Sequence, residues 1–439
     1  TPEVILTYSS NGFSKMSHNF HKVIREHICR GKYQLAQRPV LINNWEATYF
    51  DFDTEKILNI AKEAAKLGVD MLVLDDGWFG NRNHDCSGLG DWFVNEEKLS
   101  DGLENLVEKI KKMGMKFGIW FEPEMVSEDS MLYRSHPEWA IKIPNRKPTR
   151  GRYQLVLDLS RRDVQEYLYN CISSILKSAD ISYVKWDMNR SICDWYSNNL
   201  SAEHQGELPH RYMLGLYALL ERLTVDYPNV LFEGCSGGGG RFDAGMLYYC
   251  PQIWCSDDTD AYERTKIQYG TSFIYPISAV GSHVSVTPNH QTGRITPIEA
   301  RAVTAMAGSF GYELDLGMLS DEEKEAVTVQ IQRFNQFESL IHSGIYYRLS
   351  NPMEENIALW EYVSENMDEA LVHGMIFRTV PNMKRQRIRL SGLCSDCKYE
   401  VAGKNEVYTG MALMQGGILL PECQGDYYPI EIHLKKQEG

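Results

Sequence analysis

Between Val40 and Ser309 the chain repeats one unit, a short run that is apolar throughout followed by an amphipathic stretch of helical period. The apolar runs read Val40–Trp45, Met71–Asp75, Lys116–Phe121, Leu155–Leu159, Tyr183–Asp187, Val230–Glu233, Ile253–Ser256 and Ala279–His283. The helical stretches include Asp53–Leu67, Gly102–Met113, Arg162–Ser178, His210–Asp226, Ala261–Phe273 and Pro297–Ser309. Strands apolar on both faces belong in a parallel sheet covered on both sides. Repeated strand–helix units over about 250 residues predict an α/β fold of the (β/α)₈ TIM-barrel type. A doubly wound sheet is the alternative, disfavoured because no Gly-rich phosphate loop follows the first strand. Leu155–Leu159 also fits a strand within a loop.

Near Tyr346 the texture changes. Ile357–Val363, Leu371–Phe377, Arg385–Leu390, Lys398–Val401, Val407–Tyr408, Gly417–Leu420 and Pro429–Leu434 are short strands separated by turns. Several alternate polar and apolar residues, as in Arg385–Leu390, which predicts a small antiparallel β-sandwich. The expected organisation is a lead-in segment over 1–35, with a helix near Phe20–His27, a barrel over 36–345 and the sandwich over 346–439.

Bulk properties exclude some functions. A formal charge of −14 argues against nucleic acid as a partner, since phosphate-binding surfaces need clustered Lys and Arg. No run of 18 apolar residues is present, so a membrane is not an expected partner. The ten cysteines lack the density of a disulfide framework, and the Cys394–Cys397 pair reads as a turn with chance spacing rather than half a zinc site. Reduced thiols and a cytoplasmic location are the expectation.

Barrel enzymes place their chemistry at the C-terminal ends of strands. Those ends here supply Trp45, Asp75, Asp76, Trp120, Glu122, Glu124, Lys185, Asp187, Glu233, Cys235, Asp257, Asp258 and His283. One acid after a strand is commonly a helix cap. Acids ending strand after strand, among Trp and Lys, point to a binding site. Asp75 and Asp76 beside aromatics suit vicinal sugar hydroxyls, with a divalent metal as the rival. Strand alternation puts Lys185 and Asp187 on one side, where Lys185 is expected to hold Asp187 ionised, as a covalent glycosidase nucleophile must be. The four-glycine run after Cys235 lacks the lysine placement of a phosphate loop. In Ser256-Asp257-Asp258-Thr259-Asp260 spacing alone does not choose the acid that stays protonated as a general acid.

The strings DDGWFG, KWDMNR, CSGGGGRFD and WCSDDTDA together resemble the α-galactosidases of glycoside hydrolase family 36, from about Phe20 to the C-terminus. The resemblance implies a retaining double displacement on terminal α-galactosyl residues, as in melibiose, raffinose and stachyose. It implies Asp187 as nucleophile and Asp257 as acid/base. It implies substrate contacts from Trp45, Asp75, Asp76, Trp120, Arg152, Lys185, Cys235 and Gly238, and no metal or organic cofactor. Partners are then α-galactoside oligosaccharides, and a homo-oligomer is left open. Members of the family usually carry a large N-terminal β-sandwich, whereas only about 35 residues precede the first strand here, as in a trimmed or short form. Galactosyl transfer of the raffinose-synthase type, action on α-N-acetylgalactosamine and galactose binding without turnover are the alternatives.

Overall fold

A computed structural model describes residues 4–437. Eight parallel strands close a barrel: β1 (Leu41–Asn43), β2 (Met71–Leu74), β3 (Lys116–Phe121), β4 (Tyr183–Trp186), β5 (Leu231–Gly234), β6 (Gln252–Trp254), β7 (Val280–Ser285) and β8 (Ser309–Glu313). Each pairs with its neighbours in chain order, and β8 returns to β1 through Leu41 opposite Gly311. The expected (β/α)₈ barrel is therefore present, with one strand misassigned. Leu155–Val156 pairs antiparallel with Met125–Val126 outside the barrel, and β8 takes the eighth place.

The helical period predicted over Pro297–Ser309 takes in β8's first residue. That helix, Ile298–Ala305, ends early and the chain turns straight into the strand. Gly311 then lies where a Cβ would meet Leu41 O at 2.7 Å and His283 Cδ2 at 2.8 Å. The strand pattern is thus broken by a glycine that closure of the barrel requires. The helix that follows, Asp321–Ser343, opens with a capping box between Ser320 and Glu323, a signal the sequence does carry.

The surrounding helices follow their apolar period. In Thr54–Leu67 the buried positions are Ile57, Ile60, Ala61 and Ala64, spaced to form one face toward the barrel. Asp53 caps its start through Lys56 N at 2.8 Å, and Gly68 ends it in the left-handed region. The N-terminal helix is longer than expected, Gly12–Val23, and continues through a wider turn at Ile24–Ile28.

The C-terminal strands are β9 (Ile345–Arg348), β10 (Ile357–Val363), β11 (Glu369–Ile376), β12 (Arg387–Ile388), β13 (Lys398–Val401), β14 (Val407–Thr409), β15 (Ile418–Leu419) and β16 (Tyr428–Lys436). Six form an antiparallel sheet in the order β9-β10-β11-β16-β13-β14, and β12 pairs only with β15. The sandwich is lopsided, one broad layer under a two-stranded one. Ile357, Leu359, Val372, Ile430 and Ile432 pack beneath Leu390, Leu413 and Ile418. On the other face Trp360, Tyr362, Leu371 and Met375 join the barrel's own core. Burying such a side chain contributes about 1.5–3 kcal/mol relative to exposure, so this face fastens the sheet to the barrel. Double burial also explains why β10 and β11 are buried and mostly apolar along their length, while β13, covered on one face only, alternates.

The expectation of reduced thiols is corrected at one place, because Cys394 and Cys397 form a disulfide. Among the described residues no helix is long and apolar enough to cross a membrane.

Candidate active site

Strand parity builds the site. In β4, Tyr183 and Lys185 point into the barrel, with Tyr183 in a small buried cluster with Leu41, Met71, Val73 and Leu231. Val184 and Trp186 face the helices, where Trp186 Nε1 donates to Glu124 Oε1 at 2.9 Å. Asp187, the next residue, reaches the barrel mouth. A cavity of about 290 Å³ opens there, lined by Trp45, Glu46, Asp75, Asp76, Trp120, Arg152, Lys185, Asp187, Asn189, Trp254, Asp257, Thr259, His290, Gln291 and Glu313.

Asp187 is buried and faces three N–H donors. Its Oδ1 accepts from Met188 N at 2.8 Å, and Oδ2 accepts from Asn189 Nδ2 at 2.8 Å and Trp120 Nε1 at 3.1 Å. Donors without a competing acceptor are what an anionic carboxylate accepts. Lys185 does not supply the pairing expected of it. Its Nζ bonds Asp75 Oδ2 at 3.0 Å, and Asn43 Nδ2 bonds the same oxygen at 2.5 Å. The lysine reaches across the barrel floor toward the end of β2, while Asp187 is already satisfied higher up. Burial opposes the Lys185 ammonium, but neighbouring charges, Asp75 foremost, outweigh it and hold its pKa well above the ordinary value. Asp187 contributes only from a distance.

Asp76 is buried against Arg82, which donates from Nη2 at 2.8 Å and Nε at 3.0 Å. Burial raises its carboxyl pKa, and the guanidinium offsets only part of that rise. The fork fixes both oxygens in one plane at the cavity floor.

The structure separates the three aspartates after β6. Asp258 accepts Asp260 N at 3.0 Å, and Asp260 caps the helix Ala261–Thr271 through Tyr262 N at 2.9 Å. Asp257 alone of the three lines the cavity. Trp254 Nε1 donates to its Oδ1 at 3.1 Å. Asp257 meets cavity solvent, yet protein rings it on most sides. Burial first, and then the charge of Asp187, raise its pKa to about 6.

Eight of the ten residues named from the sequence line the cavity; Cys235 and Gly238 do not. Cys235 is buried beside both carboxylates, and burial, then the charges of Asp187 and Asp257, push its thiol far up. Gly238 has a φ of +81°, and a Cβ there would lie 2.7 Å from Asp257 N. Its place is under the segment carrying Asp257, where only a bare backbone fits. Among the other strand-end acids, Glu122 sits beneath Asp187 and accepts Asn189 N at 2.6 Å and Gln154 Nε2 at 3.0 Å. Burial and the nearby Asp187 charge raise its pKa. Glu124 holds Arg241, Tyr212 and Trp186, and Glu233 holds Gln252 inside the barrel. Among the described residues no group of three or more His, Cys, Asp or Glu is arranged to hold a metal ion.

A family profile described as Melibiase matches residues 1–344, and one described as Glycosyl hydrolase family 36 C-terminal domain matches residues 357–434. The chain belongs to glycoside hydrolase family 36, the melibiase family. It is 55% identical over 426 residues to the bifunctional alpha-galactosidase/sucrose kinase AgaSK of Mediterraneibacter gnavus, covering 97% of this chain and 45% of that protein. It is 50% identical over 435 residues to the alpha-galactosidase AgaA of Geobacillus stearothermophilus, covering 99% of this chain and 60% of that one. Among solved structures, an AgaA variant in complex with raffinose superposes with a TM-score of 0.97 at 49% identity, covering 98% of this chain and 60% of that chain. The chain thus spans about half to three-fifths of the length of these relatives.

Seven lining residues of this family 36 chain escaped the sequence reading: Glu46, Asn189, Trp254, Thr259, His290, Gln291 and Glu313. Glu313 was lost with β8, whose last residue it is. Trp254 was legible, since parity points it inward as it does Lys185. His290 and Gln291 come from an irregular loop after β7, where no period marks which side chain turns in.

Proposed function

We propose that this chain is the catalytic part of a retaining α-galactosidase, hydrolysing terminal α-galactosyl residues of oligosaccharides such as melibiose, raffinose and stachyose. The observation that carries the reading is the contrast between two carboxyls of one cavity. Asp187 is surrounded by three N–H donors, whereas Asp257 has its pKa raised to about 6. A double displacement needs that pairing, one anionic nucleophile and one acid that keeps its proton well above the ordinary carboxyl range.

Asp257 gives its proton to the glycosidic oxygen as Asp187 attacks the anomeric carbon from the opposite face. The C–O bond to the leaving group breaks, and a galactosyl ester forms on Asp187. Water, giving a proton to Asp257, then cleaves the ester and restores both groups. Trp120 and Asn189 hold the Oδ2 of Asp187, so one oxygen stays oriented for attack. Asp75 and Asp76 at the floor accept hydrogen bonds from the 4- and 6-hydroxyls, which an axial 4-hydroxyl makes selective for galactose. This chemistry calls on neither a metal nor an organic cofactor.

The test is release of p-nitrophenol from the aryl α-galactoside and of galactose from raffinose. Asp187→Ala is expected to abolish both, and added azide to restore turnover with β-galactosyl azide as product, azide entering from the face the carboxylate vacates. Undiminished turnover by Asp187→Ala refutes the reading.

A further inference from the structure

Glu46, Thr259 and His290 line the cavity, and none of them has a part in the mechanism above. Glu46 follows β1 on a short helical turn, its side chain only 3% exposed. One oxygen, Oε1, accepts Thr259 Oγ1 at 2.8 Å and meets His290 Nδ1 at 3.4 Å. The other, Oε2, is buried without a hydrogen-bond partner. A buried carboxylate oxygen left unpaired is costly, so a donor is missing from this wall.

The loop that brings His290 in is fastened to the segment carrying Asp257. Gln291 Nε2 donates to Asp257 O at 3.1 Å, and Asn289 Nδ2 donates to Thr259 Oγ1 at 3.2 Å. Thr292 Oγ1 bonds Asp260 Oδ2, and Arg294 pairs with Asp260. His290 is therefore a fixed feature of the acid/base side. Its side chain is 32% exposed, at the rim, while Asp75 and Asp76 lie almost fully buried at the floor.

Position round the ring says which part of a substrate meets it. Asp187 follows β4, and the strand opposite in an eight-membered ring is β8. His290, Glu313 and Glu46 follow or end β7, β8 and β1, across the cavity from the nucleophile. In a double displacement the leaving group departs on the face away from the nucleophile. It also points to the mouth, because the first sugar occupies the floor.

We propose that His290, held through Nδ1 by Glu46, is a specificity-determining residue for the leaving group, gripping a hydroxyl of the second sugar. The inference rests on the galactosidase reading. Burial pushes the Glu46 carboxyl toward neutrality, and the bond to Glu46 pulls His290 toward the imidazolium form. A proton shared across the Nδ1–Oε1 contact has two places to sit. If it lies on His290, both ring nitrogens carry hydrogen. If it lies on Glu46, Nδ1 accepts it and the ring hydrogen sits on Nε2. In either case Nε2–H is a donor. A sugar hydroxyl, which both donates and accepts, complements the pair. A nitrophenyl ring does not.

The experiment measures kcat/KM for raffinose and for p-nitrophenyl α-galactoside in wild type, His290→Ala, His290→Gln and Glu46→Gln, each checked for folding by its thermal melt. The readout is the ratio of the two constants. In His290→Ala the ratio is expected to fall about tenfold or more, the effect of one lost bond to a charged or polar hydroxyl partner. His290→Gln, which retains an N–H donor, recovers part of it, and Glu46→Gln lowers the ratio less. Equal losses on both substrates, or no loss, overturn the proposal, because a merely structural role moves the two constants together. A wild type inactive on the aryl galactoside instead refutes the galactosidase reading, and this proposal with it.

Discussion

Replacing Glu361 by glutamine is expected to stabilise the protein by an amount that grows with pH. Glu361 lies on β10 with no exposed surface; Oε2 accepts Ser391 N at 2.8 Å, and Oε1 has no partner. Burial raises its pKa from an ordinary 4.5 to about 8. Across that interval the folded state keeps a proton that the unfolded state has released, so stability falls as pH rises from 4.5 through 8. At pH 7 the loss amounts to about 3 kcal/mol, taking ~1.36 kcal/mol for each of roughly two and a half pH units. Glutamine has the shape of the protonated acid, keeps an oxygen for Ser391 N, and has no proton to lose. Its amide carries two N–H where the acid carries one O–H, a difference that does not change with pH, so the growth of the gap with pH is the proton term. Urea denaturation at pH 5 and pH 7 measures it. The gap is expected to be under about 1 kcal/mol at pH 5 and to open to about 3 kcal/mol at pH 7. A gap that is constant with pH, or that favours the wild type at pH 7, refutes the reasoning.

Asp257, with its pKa raised to about 6, should give kcat/KM an alkaline limb that starts near that pH, since the first step uses the protonated acid. A galactosyl fluoride, whose leaving group needs little proton help, should show a much weaker limb in the same pH series. Gly238→Ala places a Cβ 2.7 Å from Asp257 N at a φ of +81°. Steady-state kinetics and a thermal melt should show kcat down about tenfold or more and stability lower by about 1–3 kcal/mol. Arg82→Met leaves Asp76 buried without its guanidinium partner, which should cost about 3–5 kcal/mol in a denaturation curve at pH 7. Lowering the pH until Asp76 protonates should recover part of that loss.

The barrel was legible because a parallel strand covered on both faces is apolar along most of its length, and β3 and the helix Arg162–Ser178 have the bounds their patterns gave. β8 was not, because Gly311 interrupts its apolar run where barrel closure forbids a Cβ. Asp75, Asp76, Lys185 and Asp187 could be placed at the mouth from strand ends and parity alone. The pairing among them could not. Charge and proximity in sequence suggest Lys185 with Asp187, two residues apart, yet the bond goes to Asp75, 110 residues away.

What the sequence by itself determined is what depends on period and strand end: the α/β class, the antiparallel C-terminal strands, and a ring of acids and tryptophans at one end of the barrel. Those features arise within ten or so neighbouring residues, where spacing fixes direction. Tertiary structure alone decided which of Asp257, Asp258 and Asp260 faces the cavity, which carboxylate Lys185 neutralises, and that a loop after β7 turns His290 toward Glu46. The last two are contacts between segments far apart in the chain, set by the close packing of strands round the barrel. Local pattern holds no record of it.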